Sequence, residues 1–412
     1  MKILQFNIFY NEGSTGKIVA DIHRRLMRDG HDSYVVFGRG KDWQLKDAEH
    51  LYRTTPGNRS ELYRKVSRIT GLRYNTAYFE TYKLLKFIDN IKPDVVHLHC
   101  MNCAYIQPFI LLKHLSKKGY PVLVTHHADV TITANCDHSF ECNKWQTGCG
   151  RCATIIKERR SFFLDGTHKS WVQMRKAFKS IKRLYASGVS DWMSNRVRQS
   201  PFFQGHECRT ILNGLDTKAF TYRKPNSKLR QQLGIESCNQ VILHVTPNFS
   251  APIKGSQFVK ELAIKMPEII FVIVGIKPFE KISLPRNIIP IEHVASKEVL
   301  SEYYSMADIT LLTSYRESFS MVTAESLCCG TPVVGFKAGA PETISIPEYS
   351  TFVEYGNVDA LETTIRNVLS QNFDNKLISE IARNKYNAET MYTKYLEYYK
   401  SIIKYDTVNP DK

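Results

Sequence analysis

Two glutamates separated by seven residues are the strongest chemical feature of this sequence. Glu317 and Glu325 lie in the stretch 314–336, SYRESFSMVTAESLCCGTPVVGF, directly after the apolar run DITLLT. We expect a helix to begin near 318–320, so that the two carboxylates lie two turns apart and face one ligand. The Gly-Thr-Pro sequence at 330–332 is typical of a helix end that leads into the next strand.

The start of that helix is a candidate phosphate site. The unpaired backbone N–H groups of a helix N-terminus, here about 319–321, bind phosphate, and carboxylates accept hydrogen bonds from sugar hydroxyls. A phosphate site beside carboxylates is the combination that a nucleotide sugar requires. The donor-binding candidates at this terminus are Ser318, Phe319, Ser320 and Met321.

A lysine opens another predicted helix. Lys254 and Gly255 follow the strand-like run QVILHVT at 240–246. A lysine adds a compact positive charge beside a helix N-terminus, and this arrangement suits a diphosphate. The alternative is that Lys254 is an ordinary surface lysine.

Histidines end two further predicted strands. His97 and His99 lie in DVVHLH, and His127 lies in VTHHADV. Ligands of open α/β sheets bind beyond the carboxyl ends of the strands, so His99 and His127 are candidates to face the ligand cleft. We expect His97 to be a core histidine whose ring nitrogens are both hydrogen-bonded.

Four cysteines fall inside CDHSFECNKWQTGCGRC, at 136–152. Four thiolates make the closed tetrahedral set that suits structural zinc, and the final Cys-Gly-Arg-Cys is the most metal-like part. The C-x5-C spacing is wider than usual, so unliganded cysteines and disulfides stay open as alternatives. The candidate zinc ligands are Cys136, Cys142, Cys149 and Cys152.

Strand-length apolar runs alternate with longer helical stretches along the chain, which indicates βαβ units and mostly parallel sheets. The rhythm stops in the polar stretch 213–228 and then restarts. We therefore expect an α/β protein with two doubly wound Rossmann-like domains around a central cleft. The expected segments are 1–205, with a cysteine-rich insertion at 130–155, then 206–385, then a C-terminal helix and tail at 386–412 that cross back.

The chain has 412 residues and a formal net charge of +16, which indicates a polyanionic or phosphorylated partner. Residues 151–185 contain ten Lys or Arg and two acids, interleaved with Phe162, Phe163, Trp171 and Phe178. This segment is either a solvated helix face or a surface for anionic lipid. No apolar run reaches about 18 residues and the N-terminus is typical of a strand, so we expect a cytoplasmic protein that docks at the inner face of the plasma membrane.

The Glu-x7-Glu spacing followed by CCGTPVV resembles the retaining glycosyltransferases of family 4, which have the two-domain GT-B architecture. The resemblance implies that Glu317 contacts the donor sugar and that Glu325 contacts the nucleotide ribose. It also implies that Lys254 faces the donor diphosphate and that His127 contacts the donor sugar. We therefore expect Glu317, Lys254 and His127 to be the catalytic residues.

The glycine-rich loop NEGSTG after the first strand is similar to the loop that the family places near the donor diphosphate and the acceptor. Glycine also lets a backbone approach a phosphate closely, although it is common in any turn from strand to helix. The resemblance implies a donor contact for Gly16. The acceptor-side candidates are Gly13, Ser14, Thr15 and His99.

This chain departs from the family pattern at two positions. The family commonly has an arginine six residues before Lys254, where this chain has Asn248, so the leaving diphosphate depends more on Lys254 and the helix dipole. Many relatives have His-Asp where His127 is followed by alanine and then Asp129. The stretch ILNGLDTKAF at 211–220 resembles the family's domain junction, and the colanic-acid-type branch has a similar cysteine-rich insertion.

These features predict a retaining glycosyltransferase that moves a sugar from a UDP- or GDP-sugar to a glycan acceptor, linked to polyprenyl diphosphate, in bacterial surface polysaccharide assembly. We expect no catalytic cofactor, because no Asp-x-Asp site for a diphosphate-bound metal is evident. A GT-B epimerase or phosphorylase is the nearer alternative. A zinc-dependent nucleic-acid-binding protein is the distant one, because it leaves Glu317, Glu325 and the second domain unexplained.

Overall fold

The computed structural model describes residues 1–40, 50–55, 57–71, 74, 76–102, 104–154, 161, 164–224, 226–277 and 284–408. The chain folds into two compact units. The first unit is Met1–Ile211 with Tyr392–Lys412, and the second is Leu212–Met391. The division falls after Ile211 and not at 205, because a short strand at Cys208–Thr210 still pairs with the first sheet.

The first unit contains a seven-stranded sheet whose described strand pairs are all parallel. Its strands are β1 Lys2–Phe9, β2 Asp32–Arg39, β3 Leu51–Arg53, β4 Val95–Leu98, β5 Val122–His126, β6 Leu184–Gly188 and β7 Cys208–Thr210. The order across the sheet is β3-β2-β1-β4-β5-β6-β7. β4 and β5 are buried along their whole length, as strands covered on both faces require.

The helices of the first unit follow from ordinary helix signals. They are α1 Gly13–Arg28, α2 Gly57–Thr70, α3 Tyr78–Ile91, α4 Pro108–Lys118, α5 Val130–Thr133, α6 Lys144–Thr147, α7 Thr167–Lys179 and α8 Asp191–Gln199. α1 buries Ile18, Ile22 and Leu26 on one stripe, as their spacing of four predicts. Gln107 caps α4, because its side chain accepts a hydrogen bond from the backbone N–H of Ile110.

The second unit contains a six-stranded parallel sheet. Its strands are β8 Val241–Val245, β9 Ile270–Val274, β10 Ile288–Ile291, β11 Ile309–Leu312, β12 Val333–Phe336 and β13 Ser350–Val353, in the order β10-β9-β8-β11-β12-β13. Its helices are α9 Ser227–Gln232, α10 Ser256–Lys265, α11 Lys297–Met306, α12 Met321–Cys328, α13 Pro341–Ile344, α14 Val358–Leu369 and α15 Asn375–Lys385. β8 and β11 are neighbours, and the loops that follow them carry the candidate site.

The last helix, α16 Ala388–Val408, begins in the second unit and continues in the first from Tyr392 onwards. Its tyrosines belong to the core of the first unit: Tyr395, Tyr398 and Tyr399 are fully buried. No helix in the described part of the chain is long and apolar enough to span a bilayer.

The predicted fold class is confirmed, because both units are parallel Rossmann-like α/β sheets. The sequence reading missed β3, β7 and β13. All three are edge strands of three or four residues with no buried position in the strand itself, so they lack the apolar run that identifies the inner strands.

Candidate active site

An ion pair joins the loops after β8 and β11 in the second unit. Lys254 Nζ donates to Glu317 Oε1 at 2.6 Å, and the two side chains are 24% and 19% exposed. The hydroxyl of Thr313 also donates to the backbone carbonyl of Lys254 at 2.7 Å. The two residues predicted to contact the donor diphosphate and the donor sugar therefore lie side by side, partly open to solvent.

Local backbone geometry fixes the position of Lys254. It ends a short 3₁₀ turn, Pro252–Lys254, and Gly255 follows with φ +69° before α10 begins. A side chain at Gly255 would place its Cβ 2.3 Å from the carbonyl oxygen of Thr313. Only glycine tolerates this backbone angle and this close approach, so a glycine is required directly after Lys254, where the two loops meet.

Glu317 is fixed by a pairing with the segment after β12. Its backbone N–H donates to the carbonyl of Ala338 at 2.9 Å, and its own carbonyl accepts from Ala340 at 3.2 Å. Glu342 supports that segment, because its carboxylate accepts from the backbone N–H groups of Ala338 and Gly339. Glu317 thus closes the loop before the helix, as predicted, whereas the expected spacing of two helical turns to Glu325 is not found because α12 begins only at Met321.

The helix itself, α12, begins at Met321, which is later than the predicted start near 318–320. Ser320 is its N-cap and accepts a hydrogen bond from the backbone N–H of Thr323 at 3.3 Å. The first-turn N–H groups therefore begin around Ser320 and not at Phe319. Ser320 has φ +74°, a conformation that costs a residue with a side chain about 1–3 kcal/mol. Ser318, Phe319 and Ser320 are all buried.

Glu325 lies on α12 and contacts α11. The hydroxyl of Tyr304 donates to Glu325 Oε2 at 3.0 Å. Burial, reinforced by the Glu325 charge, raises the pKa of Tyr304 well above its ordinary value, so the hydroxyl keeps its proton and remains a donor. Tyr304 was missed, because no spacing in the sequence links it to Glu325.

Two further polar side chains of the second unit lie on β8 and in the loop that follows it, which also carries Lys254. His244, on β8, donates from Nδ1 to the carbonyl of Leu311 at 3.0 Å. Burial lowers the pKa of His244 to about 4, the hydrogen bond to Leu311 opposes the shift, and the Lys254 charge adds to it. A histidine in the otherwise apolar strand VILHV is a signal that the sequence reading overlooked. Asn248, in the loop after β8, is partly buried and accepts from the hydroxyl of Ser250 at 3.1 Å.

In the first unit the glycine-rich loop joins β1 to α1 as predicted. Gly13 has φ +65° and starts α1, and the backbone N–H of Asn11 donates to the carbonyl of Gly16 at 3.0 Å. A Cβ at Gly16 would lie 3.0 Å from the carbonyl oxygen of Phe9, so the turn is tight at this point. Ser14 is exposed, and Thr15, next to it, is partly buried.

Three histidines form what we call the histidine row: His97 and His99 at the end of β4, and His127 after β5. The ring centroids of His97 and His99 lie 3.8 Å apart with the planes tilted by 37°, and His99 Nδ1 lies 3.0 Å from His127 Nε2. His97 contacts the hydroxyls of Tyr399 and Thr125 at 2.6 and 2.7 Å, so the expectation of a satisfied core histidine is confirmed. The Nε2 atom of His99 is buried without a hydrogen-bond partner among the described residues.

Burial keeps the histidine row uncharged. It lowers the pKa of His127 to about 4 and holds the pKa values of His97 and His99 well below the ordinary value, with neighbouring imidazoles as the second cause. The adjacent His126 is fully buried, and burial lowers its pKa to about 3. At neutral pH these rings are therefore neutral hydrogen-bonding groups, able to donate from one nitrogen and accept at the other.

Asp129, two residues after His127, has a structural partner. Arg196 on α8 donates two hydrogen bonds to its carboxylate, at 3.0 and 3.1 Å, and a third to Ser139 at 2.6 Å. Asp129 is 1% exposed and also accepts from the backbone N–H of Ser139 at 2.7 Å. The Arg196 guanidinium lies 4.9 Å from the ring centroid of buried Trp145. This cluster anchors the cysteine-rich insertion to the rest of the first unit.

The four cysteines of the insertion are not gathered around one point in this structure. Within the described residues no group of three or more His, Cys, Asp or Glu is placed to hold a metal ion. Cys149 Sγ lies 3.8 Å from the carbonyl of Thr133, whereas Cys152 Sγ lies 3.7 Å from the hydroxyl of Thr154. The remaining two members, Cys136 and Cys142, complete no set with them. Zinc binding stays a prediction, which metal analysis of the purified protein tests.

In the basic segment 151–185, two of the aromatic residues expected to face lipid are buried. Trp171 and Phe178, predicted to contact lipid, are buried in the core of the first unit, and Trp171 donates to the carbonyl of Trp145 at 2.8 Å. That part of the prediction is wrong, because both aromatic residues lie on the buried stripe of α7. Of the other residues of that prediction, five lie outside the described residues: Lys157, Arg159, Arg160, Phe162 and Phe163.

Comparison with protein families assigns each half of the chain. Residues 15–219 match Glycosyltransferase Family 4, and residues 251–387 match Glycosyl transferases group 1. The second match contains the Lys254–Glu317 pair and α12, and the first contains the histidine row.

The whole chain also has similar proteins. It is 21% identical to the colanic acid biosynthesis glycosyl transferase WcaC of Escherichia coli (strain K12), over 98% of this chain and 100% of that protein. A glycosyltransferase from Rickettsia africae ESF-5 superimposes with a TM-score of 0.69, at 18% identity over 98% of both chains. The Anabaena protein Alr3699/HepE, solved with UDP-glucose, superimposes with a TM-score of 0.63, at 16% identity over 97% of this chain and 100% of that one. These structural matches show the fold.

Proposed function

This chain belongs to the glycosyltransferases of group 1 and family 4, and we propose that it transfers a sugar with retention from a UDP- or GDP-sugar to a glycan acceptor. The observation that carries the proposal is the Lys254–Glu317 pair, a cation and a carboxylate 2.6 Å apart, with Glu317 in the loop that leads into α12. One group of the pair suits a diphosphate and the other suits sugar hydroxyls.

The proposed donor complex exchanges the ion pair for contacts with the ligand. Lys254 Nζ donates to the diphosphate instead of to Glu317, and the backbone N–H groups at the start of α12 add their partial positive charge. Glu317 is then released to accept hydrogen bonds from sugar hydroxyls. Glu325, held by Tyr304, accepts from the ribose.

The proposed reaction uses no protein nucleophile. The acceptor hydroxyl attacks the anomeric carbon on the face from which the diphosphate departs, the bond between the anomeric carbon and the phosphate oxygen breaks, and that oxygen takes the hydroxyl proton. Lys254 stabilises the charge that develops on the leaving diphosphate, and neutral His127 contributes a hydrogen bond to the donor sugar. Gly13 to Gly16 allow close approach of backbone to the substrates.

The proposed acceptor is a glycan linked to polyprenyl diphosphate, in the assembly of a bacterial surface polysaccharide, at the inner face of the membrane. The similarity along the full length of WcaC, named for colanic acid biosynthesis, supports the polysaccharide. The formal net charge of +16 supports a substrate that carries a diphosphate and lies in an anionic membrane.

The decisive experiment measures protection from thermal unfolding by a panel of UDP- and GDP-sugars, followed by product formation with the stabilising donor. We expect one donor to stabilise the protein and to be consumed only when a glycan acceptor is present, and NMR to find the anomeric configuration of the donor in the product. Isomerisation of the donor sugar without any acceptor identifies an epimerase, and release of a sugar 1-phosphate from a glycan with inorganic phosphate identifies a phosphorylase. Either result refutes the transfer reaction.

A further inference from the structure

An apolar and basic surface lies on α2 and α3 of the first unit. On α2, Leu62, Val66 and Ile69 are spaced four and three residues apart, so they lie on one helix face, and they are 57%, 39% and 61% exposed. On α3, Phe79 and Tyr82 are 59% and 57% exposed. We call these two stripes the α2–α3 face.

Basic side chains lie within the same stripes. Lys65 is exposed between Leu62 and Val66 on α2, and α2 as a whole carries four basic residues and one acidic residue. On α3, Lys83 and Lys86 are exposed on the face of Phe79, and Lys83 Nζ lies 4.4 Å from the Phe79 ring centroid. On each of the two helices, apolar side chains and lysines therefore share one face, which is the composition of a helix that lies in a membrane interface.

Glu80, an acidic residue of α3, points towards α2 and away from solvent. Glu80 is buried, and its Oε1 accepts from the hydroxyl of Tyr63 at 2.9 Å while Arg59 lies 3.4 Å away. These contacts join α2 to α3 and remove the carboxylate from the exposed stripes. The exposed α2–α3 face is thus positively charged.

The second unit has no comparable surface in its described part. Its exposed large apolar residues, Ile264, Val299, Leu377 and Ile381, are distributed over three helices. Isolated exposed apolar side chains are normal on a soluble protein, whereas a contiguous group marks an interaction site.

We propose that the α2–α3 face docks this protein on an anionic lipid bilayer. Phe79, Ile69 and Leu62 enter the headgroup region and the lysines contact lipid phosphates. A second copy of the chain fits less well, because a symmetric interface would bring the same lysines together. The inference deepens the proposed function, on which the choice of a membrane partner rests, since a polyprenyl-linked acceptor lies at that surface.

The test is sedimentation of the full chain with phosphatidylcholine vesicles, with and without phosphatidylglycerol, in the absence of both substrates. We expect binding to vesicles that contain phosphatidylglycerol, and weaker binding at high salt. The double substitution Ile69→Ser with Phe79→Ser should lower partitioning by about tenfold or more. The matched control is Ile264→Ser, which removes an equally exposed isoleucine from the second unit and should leave binding unchanged.

Charge is tested separately. Lys83→Gln with Lys86→Gln should lower partitioning by about fivefold for each lysine. The matched control is Lys176→Gln with Lys179→Gln, which removes two exposed lysines from the last turn of α7 in the basic segment. Equal losses in the two pairs would overturn the assignment to α2 and α3, because net charge alone would then explain binding.

Two further outcomes decide the proposal. All substituted positions are exposed, and unchanged thermal unfolding confirms that each variant is folded. The wild-type protein could instead form a dimer that the double substitution Ile69→Ser with Phe79→Ser dissociates. If that dimer forms and the wild-type protein does not bind vesicles, the surface belongs to a second copy and the proposal of bilayer docking is overturned. Turnover on a water-soluble acceptor should be unchanged in that variant. Turnover without vesicle binding refutes only the docking surface, whereas vesicle binding without turnover on any donor refutes only the proposed function.

Discussion

The candidate site of the second unit is an ion pair, Lys254 with Glu317, whose side chains remain partly exposed, whereas that of the first unit is the histidine row, which burial holds neutral. The ion pair follows two neighbouring strands, β8 and β11, and the histidine row follows β4 and β5. The same sheet edge therefore carries charge in one unit and uncharged hydrogen-bonding groups in the other. From this difference we expect the second unit to bind the anionic part of the donor.

Removing the cation tests this assignment most strongly. Lys254→Ala should lower kcat by about 100- to 1,000-fold, because the leaving diphosphate loses its positive partner while the fold is retained. The matched control is Lys265→Ala, which removes a lysine of α10 that pairs with Asp359 and Glu362. Full activity in Lys254→Ala would contradict the role of the ion pair.

Removing only the negative charge separates the sugar from the nucleotide. Glu317→Gln should lower kcat/KM by about 10- to 100-fold, because a charged acceptor for sugar hydroxyls becomes neutral. The affinity for UDP or GDP alone, measured by calorimetry, should not fall. A parallel loss of nucleotide affinity would show that Glu317 contacts the nucleotide and not the sugar. Glu348→Gln, at an exposed carboxylate of the same unit, is the control.

The neutral site of the first unit predicts acid sensitivity. His126 has an ordinary pKa of 6.5 when unfolded and a pKa of about 3 when folded, so the unfolded state binds one more proton between these values. Stability is therefore fully present above pH 6.5 and falls on acidification by about 1.4 kcal/mol per pH unit for each such histidine. Denaturant unfolding at pH 7 and pH 5 measures this slope.

The variant His126→Gln should flatten that slope by about one proton, because its buried side chain no longer titrates. Replacing an exposed histidine, as in His293→Gln, should leave the slope unchanged. An identical slope in wild type and His126→Gln would show that His126 is not held neutral in the folded state.

The smallest expected effect concerns the hydrogen bond that fixes Glu325. Tyr304→Phe should raise the donor KM by about fivefold, equivalent to about 1 kcal/mol, and leave kcat nearly unchanged, because the ribose contact loses its orientation and the chemistry does not. Tyr303→Phe, at the adjacent position of α11, is the control. A fall in kcat with constant KM would exclude a role in nucleotide binding.

The sequence predicted the inner strands and the loops that carry chemistry, because long apolar runs and Gly-rich turns are local signals. Lys254, Glu317 and the histidine row were named from such signals, whereas His244 was overlooked. The Lys254–Glu317 contact was not predicted, since it depends on the pairing of β8 with β11. Tyr304 and Arg196 were missed for the same reason: their partners, Glu325 and Asp129, are 21 and 67 residues away.

The late start of α12 has a different cause. The stretch SFS at 318–320 has the composition of a helix N-terminus, and composition alone does not show that Ser320 takes a left-handed backbone angle. The buried apolar stripe of α7 was misread because Trp171 and Phe178 were considered with their basic neighbours and not by helical spacing.

The return of α16 to the first unit has a consequence for biosynthesis. The hydroxyls of Tyr395 and Tyr399, which contact Thr125 and His97 in the core of the first unit, belong to residues that the ribosome adds after the second unit. The complete second unit, Leu212–Met391, is synthesised before them. We therefore expect the core of the first unit to keep unfilled positions during translation until α16 has been synthesised.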